Sequence, residues 1–150
     1  MSAWEQWINN SLDTNGLDRM AVQLRAMQFF AHIAHNEVSG TSFHEDHEFL
    51  GELYATYETG YDDLVERMIG LGKTPNLWTI ASEANSDLQG MRTQGLNFEW
   101  YKKLLTAEKD LCGFAETLID TSISEATRNL ISQLADDSEK RQYKIQQRLS

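Results

Sequence analysis

Four histidines, His32, His35, His44 and His47, fall within sixteen residues, and they are all the histidines of this 150-residue chain. Imidazole is a frequent ligand of transition metals, so the clustering points first to metal chemistry. The run His44-Glu45-Asp46-His47 superficially resembles a zinc-protease helix. That chemistry needs histidines at i and i+4 with a glutamate base between them, and the spacing here is i+3, which excludes it. Further on, Asp62 and Glu66 stand four residues apart, which puts both carboxylates on one helical face, one turn above each other. Oxygen ligands at that spacing can share a cation. A surface pairing of Glu66 with an arginine or lysine fits the same spacing and is the commoner arrangement, so spacing alone leaves both readings open.

The elements that must carry these residues are helical. Leu17, Met20, Leu24, Met27 and Ala31 recur at intervals of three and four, with Val22, Phe29, Phe30 and Ile33 widening the stripe, which predicts a first helix over 17–39 with two buried faces. Ser42 followed by Glu45 has the pattern of a capping box at the start of a second helix over 43–71, which carries Leu50, Tyr54, Tyr57, Tyr61, Leu64 and Met68 at helical spacing. Residues 73–96 are polar and punctuated by glycine, with a short amphipathic piece around Leu77, Trp78, Ile80, Ala81 and Ala84. A third long helix is expected over 97–120. A fourth, over 123–148, opens on Ser122 and Glu125, read as a second capping box. Residues 1–15, with Trp4, Trp7 and Ile8, are expected to form an N-terminal arm or a short docking helix. The order long, long, crossover, long, long matches an all-α, ferritin-like four-helix bundle, with a long crossover containing a short helix between helices two and three. At this length the chain reads as a single domain.

Composition narrows the function classes. The formal net charge is −10 and the pI about 4.7, a surface that repels phosphate backbones and attracts cations. The first thirty residues lack a basic start followed by an apolar run, and no later uncharged stretch approaches spanning length, so a cytoplasmic protein without a membrane association is expected. The single cysteine, Cys112, sits among Leu111, Phe114, Ala115 and Leu118 and reads as a small core residue.

The stretch from His32 to His47, continuing through Leu53-Tyr54 and Asp62-Asp-Leu-Val-Glu66-Arg67 to Leu71-Gly72, resembles the Dps miniferritins without a gap across forty-one residues. His35, Gly40, Phe43, His47, Asp62, Glu66 and Arg67 occupy the places of that family's pattern. The later half is similar more loosely, through Ala126-Thr127, Asp136-Asp137-Ser138-Glu139-Lys140 and the ending Tyr143 to Leu149. The resemblance implies a hollow homo-oligomer of twelve chains with metal sites shared between subunits. It implies a ferroxidase that binds Fe(II), oxidises it with hydrogen peroxide in preference to oxygen, and stores the ferric product as protection against oxidative stress. His35 and His47 carry over as histidine ligands, Glu66 as a bridging carboxylate, and Asp62 as a bridging or second-site carboxylate. These residues are then both the catalytic and the metal-binding set, with iron as the cation.

Two positions depart from the family's pattern. The acidic residue usual one turn after the second histidine is Gly51, which removes one ligand. The tryptophan that commonly follows the first histidine is Asn36, and Tyr54, Tyr57 and Trp100 are the rings available to stand in for it. His32 and His44 flank the site and are candidates to replace the lost carboxylate. Asp120 and Glu125 are candidates to line a pore for iron uptake. DNA is not expected as a partner, because residues 1–15 contain no lysine or arginine, and Lys140, Arg141, Lys144 and Arg148 stand beside Asp137 and Glu139 in what reads as a solvated helix end. The competing functions are a ferritin-like shell or interaction protein with a degenerate metal site, and a DNA-compacting member of the family.

Overall fold

A computed structural model describes Ser2, residues 16–95 and residues 97–150. The expected arm with Trp4, Trp7 and Ile8 lies outside the described residues. Among those described, the regular structure is entirely helical: α1 (Leu17–Glu37), α2 (Phe43–Gly70), α3 (Leu77–Gly90), α4 (Asn97–Ile119) and α5 (Glu125–Leu149).

Short turns join α1 to α2 and α4 to α5, so each pair is an antiparallel hairpin. The two hairpins are registered by side chains. Asp46 near the start of α2 meets Tyr101 near the start of α4 and Arg148 at the end of α5, so α2 runs parallel to α4 and antiparallel to α5. The chain must therefore travel from the end of α2 back to the start of α4, a length of about 42 Å for a helix of 28 residues. The connection between them makes that journey, and α3 packs on α1 along the way through the buried Ile80 and Ala84. Asn76 starts α3 by accepting the backbone N–H of Thr79 on its side-chain oxygen.

The core follows the helical period. Met20, Leu24, Met27 and Phe30 of α1 meet Leu50, Leu53, Tyr57, Leu64 and Met68 of α2 and Leu104 and Leu111 of α4 in one apolar cluster. Each such side chain contributes about 1.5–3 kcal/mol by leaving water. Ile33, expected to widen the α1 stripe, is 44% exposed, and Ile69, Leu71, Leu77, Trp78 and Tyr143 are also exposed on the single chain.

Both expected capping boxes are corrected. Ser42 precedes α2, but its hydroxyl makes no cap bond to the helix and donates to the Asp46 carboxylate at 2.8 Å instead. The start of α5 is capped by Ser124, not Ser122, with the Ser124 hydroxyl accepting from the backbone N–H of Thr127. Glu125 is thus the first residue of the helix, and it pairs with Arg128 across one turn. Cys112 is half-buried, and its thiol lies 3.7 Å from the Ala135 carbonyl.

The expectation of a solvated basic end on α5 is also corrected for two of its four cations. Arg141 turns into the bundle and grips the fully buried Glu108 of α4 through two hydrogen bonds, while Tyr57 and Ser138 donate to the same carboxylate. Burial first, and then the Glu108 charge, push the Tyr57 hydroxyl well above its ordinary value, so it remains a donor. Two turns along α5, Arg148 reaches Asp46, which is 1% exposed and also accepts from Tyr101, Ser42 and Asn97. Burial alone would raise the Asp46 carboxyl, but the four donors outweigh it and hold it at about 2. Periodicity could not reveal this, because arginine and glutamate on amphipathic helices ordinarily face water. Among the described residues, no buried side-chain polar atom lacks a partner.

Candidate metal centre

The turn between α1 and α2 brings His35 and His47 face to face. Their ring centroids are 3.6 Å apart, and their planes are 20° from parallel. His35 Nδ1 donates to the His47 backbone carbonyl at 2.6 Å, and His47 Nδ1 donates to the His35 backbone carbonyl at 2.7 Å. A carbonyl oxygen only accepts, so each Nδ1 carries its proton, and a neutral ring keeps its lone pair on Nε2.

The exchange follows from where the two carbonyls lie. The His35 carbonyl is among the last four of α1, which have no partner within their own helix. His47 therefore caps the end of the preceding helix. The His47 carbonyl lies inside α2, where a second lone pair is available beside the helical bond. Asp46, the adjacent residue, points the other way into its cluster of donors and pins this turn of α2 to α4 and α5.

Other rings extend the stack. Phe43 lies on His47 at 5.0 Å, and Tyr54 meets His35 edge-on at 5.4 Å. His32 is exposed and stacks on Tyr54 at 4.3 Å, and the exposed His44 touches Phe43. Of the three rings considered as stand-ins for a tryptophan at position 36, Tyr54 is the one in ring contact with His35. Tyr57 is bonded to Glu108 in the core, and Trp100 packs on Phe30. Asn36 itself bonds back to the His32 carbonyl.

Gly51 stands directly beneath His35. A Cβ built on it would lie 3.1 Å from His35 Cε1 and 3.2 Å from Nδ1. The sequence suggested only a missing ligand at this position. The close approach of the ring had no signal there, because it depends on the distance between α1 and α2.

Asp62 and Glu66 lie further along α2, both exposed, with Glu66 beside Asp63, Arg67 and Leu130 in a shallow surface depression. No ion pair within the described residues takes either carboxylate. His47 and Asp62 are fifteen residues apart on one helix, about 22 Å along its axis. A single chain accordingly brings the histidines together and leaves the carboxylates apart from them. No three histidine, cysteine or acidic side chains converge on one point among its described residues.

The helical order is shared with known proteins. No protein-family model matches the chain. A curated relative, the DNA protection during starvation protein of Halobacterium salinarum, is 31% identical over 112 residues, which is 69% of this chain and 62% of the relative. The chain resembles the Dps family. Solved Dps structures share its fold: that of Listeria monocytogenes at a TM-score of 0.78, with 16% identity over 91% of this chain and 92% of that one. A variant of Mycobacterium smegmatis Dps1 superposes at 0.75, with 16% identity over the whole of both chains. The Dps of Vibrio cholerae O1, described as a member of a broad superfamily of ferritin-like diiron-carboxylate proteins, gives 0.67 with 19% identity over 94% and 91%. The chain spans less than two thirds of the length of this curated relative. No described helix is long and apolar enough to cross a membrane.

Proposed function

We propose that the chain is a miniferritin ferroxidase: it binds Fe(II), oxidises it with hydrogen peroxide, and holds the ferric product inside a closed shell of its own copies. The observation that carries the reading is the reciprocal hydrogen bonding of His35 and His47 through Nδ1, which leaves the Nε2 lone pair of each imidazole free to bind a metal. A metal-binding histidine characteristically gives its other nitrogen to a backbone carbonyl, which fixes tautomer and orientation.

Stacked rings cannot both aim in-plane lone pairs at a single cation, so the geometry suits two metal positions, one per imidazole. The balance of the reaction also asks for two. Two Fe(II) ions give one electron each to hydrogen peroxide, whose O–O bond breaks, and two protons complete two water molecules. Asp62 and Glu66 are the carboxylates for these positions, and a second copy of α2, antiparallel about a twofold axis, is what carries them to His35 and His47. The exposed apolar side chains of the single chain, Trp78 at 89% among them, favour burial by further copies, twelve in the Dps shell that the resemblance implies.

Anaerobic Fe(II) titration followed by one addition of peroxide tests the proposal. Binding that depends on His35 and His47, and prompt formation of ferric absorbance, are expected. A protein that binds no Fe(II) at micromolar concentration overturns the reading and favours a degenerate shell. The DNA-compacting alternative is supported less, because Arg141 and Arg148 are spent on Glu108 and Asp46.

A further inference from the structure

We infer that Gly51 is a positioning residue of this centre: the bare backbone at 51 is what allows the His35 ring to reach the His47 carbonyl through Nδ1 and so keep the Nε2 lone pair for a metal. The inference rests on the metal-binding reading above for its consequence, but its geometry stands by itself. In an α-helix the carbonyl of residue i lies against residue i+4, and every Cα–Cβ bond tilts toward the N-terminus. A side chain at 51 therefore leans toward the His47 carbonyl, which is the atom His35 must approach to 2.6 Å. A Cβ at 51, 3.1 Å from His35 Cε1 and 3.2 Å from Nδ1, expresses that conflict. The ring has little room to give way, since His47 covers one face at 3.6 Å and Tyr54 stands at its edge.

Glycine in the interior of a long helix ordinarily weakens it relative to alanine. Its presence in mid-α2 accordingly implies a compensating contact, and His35 provides it. Position 51 here has exchanged a side chain for a closer imidazole.

Gly113 in α4 provides the control, because a Cβ there meets nothing within 4 Å. Gly113→Ala should raise or preserve the thermal midpoint and leave Fe(II) affinity and the His35 imidazole ¹⁵N resonances unchanged. Gly51→Ala should move the His35 resonances in the metal-free protein away from the Nδ1–H pattern and weaken Fe(II) binding about tenfold or more, the scale of losing a ligand's orienting partner. A Gly51→Ala protein with an unaltered His35 spectrum and unaltered affinity overturns the inference. A double-mutant cycle decides the matter if Gly51→Ala assembles poorly. In a His35→Ala background, alanine at 51 should be as harmless as alanine at 113, and an equal penalty with and without the ring refutes the assignment. Should the unmutated protein bind no Fe(II), the ferroxidase reading fails, while the His35 spectrum and the cycle still decide the role of Gly51.

Discussion

His35 and His47 each donate Nδ1–H to the backbone carbonyl of the other, while their rings stack 3.6 Å apart. Because the acceptor belongs to the backbone, removing one ring leaves the acceptor of the other in place. His47→Ala should thus keep His35 in its Nδ1–H form while lowering Fe(II) affinity at least about tenfold through the lost ligand. Imidazole ¹⁵N spectra in mildly alkaline buffer and an anaerobic titration check the two halves separately. A switch of His35 to the Nε2–H form would mean that stacking, not the carbonyl, sets the ring.

Much of the fold was legible because the helices obey one rule along their length: Met20, Leu24 and Met27, or Leu50, Leu53, Tyr57 and Leu64, keep returning to the same face. His35 and His47 were legible as candidates because four histidines gather at one hairpin. What stayed hidden are relations between helices. Glu108 and Arg141 look like surface residues until three helices close around them. Ser42 looks like a cap until Asp46 is seen to take its hydroxyl. Gly51 reads as an absence in one dimension and as a contact in three.

Arg141 and Glu108 make an ion pair inside the bundle, with side chains 11% and 0% exposed. Arg141→Met leaves a buried carboxylate without its countercharge and should cost about 3–5 kcal/mol in urea unfolding. Combining it with Glu108→Leu should recover most of that loss, because two apolar side chains need no pairing. A cost below about 1 kcal/mol for Arg141→Met would show that the pair does not hold the core.

Asp46 gives stability a pH dependence of known sign. Its carboxyl is held at about 2 in the folded chain against an ordinary value of 3.8, so the ionised form is favoured by folding. The contribution is complete above the ordinary value and is lost as pH falls through about 2, amounting to about 2 kcal/mol. Asp46→Asn cannot make this transition. The difference in unfolding free energy between the two proteins, measured in urea at each pH, should be constant from pH 6 to about 5 and shrink by about 2 kcal/mol on acidification to pH 2. A difference that does not change with pH would place the ionisation of Asp46 outside the folding equilibrium.

The separation of about 22 Å between His47 and Asp62 along α2 leads to the prediction that bears on the assembly. If each centre takes its histidines from one chain and its carboxylates from another, a chain with His35→Ala and His47→Ala and a chain with Asp62→Ala and Glu66→Ala are each inactive alone. In a mixed dimer one centre combines the two intact halves, and the other combines the two broken ones. Random co-assembly of equal amounts makes about half of the dimers mixed, each with one working centre of two, so roughly a quarter of the normal ferroxidase rate should return. The chains need to be refolded together, and mixed assemblies verified by differential tagging before the rate is read. Verified mixed assemblies with no recovered activity, beside an active unmutated protein, would mean that Asp62 and Glu66 do not complete the centre of a neighbouring chain.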